Sequence, residues 1–187
     1  MTTTGFTGRR QKIADHGFTL IELMLALVIF SLLLAAVLPS YRDWIAAQQL
    51  ANHAQFIVDT LHVARSEAIK HGYRVDVCKT SDKLRCTDKG GWDQGWLMFV
   101  DQDRSGQIEH DTVVLHSEGA ALNGITVHGN HPVQDYVSYT GLGHARLLSG
   151  ALQMGTFVLC KSGQDALNVV LSNGGRARID KTKTRCP

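Results

Sequence analysis

Residues 18–38, FTLIELMLALVIFSLLLAAVL, carry one charge, Glu22, and constrain the fate of the chain more than any other stretch. About 20 apolar residues in helical form reach across the ~30 Å hydrocarbon core of a bilayer. Arg9, Arg10 and Lys12 precede the run and are expected to stay cytoplasmic, so the segment crosses the inner membrane once with the rest of the chain outside. A secretory signal has a shorter apolar core and a small-residue cut beyond it, whereas here the candidate cut lies before the run. Within lipid a carboxylate costs about 2.5 kcal/mol or more and needs a partner. Cleavage before Phe18 would create an amine on the same helix face as Glu22, and a neighbouring subunit's amine could serve instead.

The string Gly17-Phe18-Thr19-Leu20-Ile21-Glu22 resembles the type IV prepilin processing motif. The resemblance implies that residues 1–17 are a leader removed after Gly17 by a prepilin peptidase, which also methylates the new N-terminus at Phe18. It further implies that Glu22 is the assembly carboxylate, and that the protein sits in the inner membrane with its head in the periplasm before joining a pilus at the cell surface. Pilins, pseudopilins and competence pilins share this motif.

Beyond the apolar run, Pro39 removes a backbone hydrogen bond and is expected to kink or loosen the helix. Leu50, Ala54, Ile57, Leu61, Ala64 and Ala68 then recur at steps of three and four, with Gln48, Asn52, Asp59 and Arg65 off that stripe. Gly72 suits the helix C-cap. The spacing therefore predicts a transmembrane or filament-core helix over 18–38, continued by an amphipathic helix over 39–72. After Gly72 the pattern shortens to period two. Tyr73–Cys78, Trp96–Val100, Thr112–Leu115, Ile125–His128, Tyr136–Thr140, Thr156–Cys160, Leu167–Leu171 and Ala177–Ile179 read as strands of a β-rich domain over 73–187. The expected class is α+β and pilin-like, a helical spine on antiparallel sheet.

The segment from Trp92-Asp93-Gln94-Gly95-Trp96 through Phe99, Asp101 and Gly106, with Val113-Val114-Leu115 after it, resembles the GspH/FimT family pattern. That family joins minor pseudopilins of type II secretion to FimT- and FimU-like minor pilins. On the residues themselves, Trp96, Met98 and Val100 alternate onto one strand face, and the aspartates close a turn. Four cysteines, Cys78, Cys86, Cys160 and Cys186, in a chain bound for export read as two disulfides with three possible connectivities. Cys78–Cys86 is favoured because its short loop closes locally, and Cys160–Cys186 because it would pin the C-terminal tail.

Asp101, Asp103, Ser105 and Gly106 match the first half of a calcium loop, but position twelve is Thr112, where calcium needs a bidentate acid; a solvated turn is the better reading. His128 and His131 have no thiol or acid beside them, so no metal and no other cofactor is expected. Neither a nucleophile elbow nor a phosphate loop appears, and an enzyme is not expected. Net charge is +2, and the leader accounts for it, so any case for nucleic-acid binding rests on local clustering. Such a cluster exists at Arg176, Arg178, Lys181, Lys183 and Arg185, opposed by Asp180. Gly175-Arg176-Ala177-Arg178 resembles the GRxR motif of FimT-type minor pilins, which implies non-specific contact with double-stranded DNA during natural transformation. A solubilising edge strand would carry the same charges. The sequence thus points to a minor pilin that partners other pilins in a filament, with a GspH-type pseudopilin of type II secretion as the alternative.

Overall fold

Apolar spacing decides which side of the helix is covered. The computed structural model describes Gly17, residues 19–121 and residues 124–187; the leader up to residue 16 and the expected methylation site Phe18 lie outside them. One helix, α1, runs Leu20–His71 over 52 residues. It ends where Gly72 takes a left-handed φ of 69° and donates its N–H to the Ala68 carbonyl at 3.0 Å. Among the described residues no single helix is long and apolar enough by itself to cross a membrane; the segments Leu20–Ala35 and Ser40–His71 meet that requirement together, with Pro39 between them.

The chain divides into a unit ending at Tyr41 and a unit covering Arg42–Pro187. In the first, Leu20, Ile21, Leu23, Met24, Leu25, Leu27, Val28, Ile29 and Phe30 are all exposed. In the second, the stripe Leu50, Ala54, Ile57, Leu61, Ala64 and Ala68 is buried, while Gln48, Asn52 and Asp59 are exposed and Arg65 is half-buried.

Two four-stranded antiparallel sheets receive that stripe. The first comprises β1 (Arg74–Lys79), β2 (Trp96–Asp101), β3 (Val114–Glu118) and β5 (Tyr136–Tyr139), in the order β3-β2-β1-β5. The second comprises β4 (Ile125–Gly129), β6 (Gly155–Lys161), β7 (Asp165–Leu171) and β8 (Ala177–Arg185), in the order β4-β6-β7-β8. Inward residues of both sheets, among them Val75, Val77, Trp96, Met98, Val127, Phe157, Leu159, Val169 and Leu171, share one core with the helix stripe. Three strands differ from the sequence expectation by more than one residue; β7 begins at Asp165 rather than Leu167. β3 begins two residues later than Thr112, because Val113 and Val114 sit at an exposed edge and the register shifts at Met98/Phe99. β8 extends six residues past Ile179, because β7 offers it partners out to Asp165.

β2 is buried on both faces. Trp96, Met98 and Val100 meet the main core, while Leu97 and Phe99 join Cys78 under Cys86, Ile108 and Tyr136. A continuous apolar run is what such a strand requires, so alternation alone understates its burial. The same outer face of the first sheet carries a polar cluster. Asp76, 1% exposed, accepts a hydrogen bond from the Ser138 hydroxyl through Oδ1 and has no partner at Oδ2. Arg74 donates to Ser138 Oγ at 2.6 Å and to the Arg146 carbonyl at 2.9 Å. Burial pushes the Asp76 carboxyl up to about 7; the Ser138 bond and the Arg74 charge oppose this, and neighbouring Asp101 adds to it.

A second buried charge organises the loop after β1. Lys79, 1% exposed, donates to the carbonyls of Asp88 at 3.1 Å and Gly90 at 2.9 Å, and pairs with the Asp135 carboxylate at 2.8 Å. The ammonium thus bonds two carbonyl oxygens and sits against a carboxylate that balances its charge, which is the condition for burying a lysine. Nearby, the Trp92 indole donates to the Val133 and Gln134 carbonyls, each at 3.0 Å, and meets Phe157 edge-on at 5.2 Å.

Candidate functional site

Helix initiation places the first group of interest. Thr19 lies just outside α1, and its Oγ1 accepts the Glu22 N–H at 3.3 Å. Thr19-x-x-Glu22 therefore has the spacing of a capping box, with Glu22 in the first turn where the helix dipole favours an anion. The pattern was present in the sequence, and a reading centred on membrane burial passes over it. Glu22 stands among exposed Leu20, Ile21 and Leu23. Gly17 has open space around its Cα.

The basic C-terminal residues do not form one surface. β8 is the open edge of its sheet. Arg176, immediately before it, and Arg178 are both exposed, with buried Ala177 between them, so the guanidiniums share the outer side. Asp180 follows on that side and takes Arg178 in a fork, Nε to Oδ1 at 3.1 Å and Nη2 to Oδ2 at 3.0 Å. Such an exposed pair contributes about 0.2–1 kcal/mol, weak enough for a phosphate to displace. Lys181 lies on the opposite side, bordering a hollow with Ala47, Gln48, Ala51 and Asp165. Arg185 approaches Asp165 at 3.9 Å. Lys183 is exposed within the bulge that interrupts the β7–β8 register. The alternation Arg178-x-Asp180 puts the two side chains on one face, and the fork follows from it.

Cys78 bonds Cys86, and Cys160 bonds Cys186, with Cα separations of 5.6 and 5.5 Å. The first staples a loop over the outer face of the first sheet; the second ties β6 to the residue after β8. In the Asp101–Gly106 turn, Asp101 accepts the N–H groups of Ser105 at 3.0 Å and Gly106 at 3.2 Å, and Asp103 also accepts from Ser105 at 3.2 Å. These carboxylates close the turn upon itself. His128 lies exposed on β4, and His131 opens the short 3-10 turn after it.

A long N-terminal helix bearing a methylation-type start, laid on antiparallel sheets, defines the pilin class. Residues 13–38 match the model described as the prokaryotic N-terminal methylation motif. The chain belongs to the family described as Type II transport protein GspH, whose model matches residues 53–175. It is a minor pilin or pseudopilin of the GspH/FimT kind, and the family and fold are those of structural pilins. A fimbrial protein of Pseudomonas aeruginosa is 30% identical over 121 residues, covering 61% of this chain and 77% of that protein. Among solved structures, the type IV minor pilin FimU of Pseudomonas aeruginosa PAO1 superposes with a TM-score of 0.56 and 20% identity, over 74% of this chain and 96% of that one. The minor pseudopilin EpsH of the Vibrio cholerae type 2 secretion system gives 0.47 and 14% identity, over 71% and 97%.

Proposed function

We propose that this protein is a minor pilin of a type IV pilus, inserted once in the inner membrane and then drawn into the filament with its head outward. The observation that carries this is the helix segment from Leu20 to Leu38, bare on every described side and holding one carboxylate at Glu22. Nothing in its own chain covers that surface among the described residues, and lipid or neighbouring pilin helices have the chemistry to do so. Prepilin peptidase cuts after Gly17 and methylates Phe18; the amine thus formed, on this or a neighbouring subunit, pairs with Glu22. Likeness to a fimbrial protein and to FimU favours the pilus over a secretion pseudopilus. A blot for the full chain in sheared pili, in cells expressing wild type or Glu22→Gln, tests the reading. Wild type is expected in the pilus fraction and Glu22→Gln only in the membrane. Recovery of Glu22→Gln in pili at the wild-type level refutes the role of the carboxylate.

A second role is favoured by the outward placement of Arg176 and Arg178 on an open edge: sequence-independent contact with the phosphates of double-stranded DNA. Arg176 is free of ion pairs among the described residues and leads the contact, while Arg178 must exchange Asp180 for phosphate. Full-length protein in detergent, titrated against labelled duplex over a salt series, tests this. Binding that weakens with salt and is lost in the Arg176→Gln, Arg178→Gln double variant is the expected result; equal binding by that variant refutes it.

A further inference from the structure

Three elements converge at the end of the head that carries Arg176. They are the last turns of α1, the Thr140–His144 turn, and the β7–β8 turn. Two glycines with left-handed backbone, Gly143 (φ 75°) and Gly175 (φ 78°), permit the approach. A Cβ on Gly175 would lie 2.6 Å from the Gly143 carbonyl oxygen and 2.9 Å from the Tyr139 ring. One on Gly143 would lie 3.1 Å from Arg65 Nε. Arg65 is therefore packed against the turn that touches Gly175, one residue from Arg176, although the two arginines lie 111 positions apart in sequence. Its charge also reaches the buried Tyr139 phenol, which burial pushes up and Arg65 pulls back.

Arg65 is half-buried and makes no hydrogen bond or ion pair to any described residue. The nearest acid on its own helix, Glu67, is already engaged by Lys70 at 3.1 Å and His71 at 3.3 Å. Exposed His144 stands on the intervening turn. The Arg65 guanidinium thus lies against Gly143, and Arg176, exposed and without an acidic partner among the described residues, follows directly on Gly175 at the other side of the contact between the two turns. We infer that Arg65 is a third phosphate-contacting arginine, which with Arg176 spans successive phosphates of one nucleic-acid strand laid across this end of the head. The inference rests on the DNA-contact reading above.

The test uses the full chain in detergent and a fluorescein-labelled duplex, with anisotropy followed over a salt series. Arg65→Gln is expected to weaken binding about three- to tenfold and to lower the salt slope by about 1, the loss of one phosphate contact. Arg65→Lys should keep most of that slope, and Lys89→Gln, on the loop before Trp92, should bind as wild type. In the unmodified protein, DNA should protect Arg65 from phenylglyoxal, a readout independent of whether Arg65→Gln folds normally. Should Arg176→Gln weaken binding while Arg65→Gln matches wild type, or should DNA leave Arg65 unprotected, the inference is overturned and the Arg176 reading stands. Absence of any salt-sensitive binding by wild type overturns both.

Discussion

Replacing Asp76 by Asn should remove a pH dependence that one buried carboxyl imposes on the whole head. Asp76 is 1% exposed and raised to about 7, against an unfolded value near 3.8. Between these values the folded chain holds a proton that the unfolded chain has released. Stability is therefore fully present at the acid end and falls as pH rises from about 4 to about 7, then levels. Three pH units at about 1.36 kcal/mol each set an upper bound of about 4 kcal/mol, with a slope of at most about 1.4 kcal/mol per unit. Asp101, raised by its own burial and by Asp103, acts in the same direction. Asp82 and Asp103 are held low by backbone and side-chain hydrogen bonds, and their contribution is lost only at lower pH. Asn keeps the Ser138 contact through its oxygen and places an amide where Oδ2 now has no partner. Unfolding of the full chain in detergent, followed by the emission of buried Trp92 and Trp96 at a series of pH values, measures the effect. Asp76→Asn should flatten the profile and equal or exceed wild type above pH 7. His53, held low by its own burial, raises stability with pH in both proteins and cancels in the comparison, so parallel profiles for the two proteins would refute the argument.

Further outcomes follow from individual residues. Leu61→Ala, at a fully buried stripe position, should cost about 2–5 kcal/mol in the same unfolding assay, whereas Asn52→Ala on the exposed side should cost under about 0.5 kcal/mol. Replacing Gly17 with a bulky residue should leave uncut precursor in the membrane, and mature-sized protein on a gel would refute the cleavage assignment. Thr19→Ala should loosen the first helical turn by about 1 kcal/mol and raise amide exchange there, without blocking assembly as Glu22→Gln does. Cys186→Ser should lower stability by about 2–4 kcal/mol and release the β8 end to proteolysis.

Much of the fold was legible because its signals are periodic. The six-residue stripe from Leu50 to Ala68 indicates a covered helix, and Gly72 marks its stop; both depend on local geometry. What escaped was set by contacts between distant residues. Nothing in the neighbourhood of Asp76 announces that Ser138 and Asp101 will surround it, and an aspartate in a strand reads as solvent-facing. The end of β8 was missed because Lys181, Lys183 and Arg185 look like a solvated tail, whereas pairing with β7 extends them into strand. At the basic site, the outward alternation of Arg176 and Arg178 was readable. Arg65 was not, because it reaches that end only when the Thr140–His144 turn folds back on the helix.

Lys79 gives the loop between β1 and β2 a second fastening. The disulfide from Cys78 to Cys86 closes the loop at one level, and the buried ammonium grips the carbonyls of Asp88 and Gly90 beyond it. Reducing agents act on the first and leave the second untouched, so a loop freed from its covalent bond remains moored by a cation with no water to compete for it. The same burial hides this amine from surface reagents. Lys79 should be the last of the head's lysines to accept an acyl label, and its labelling would report the moment the mooring gives way.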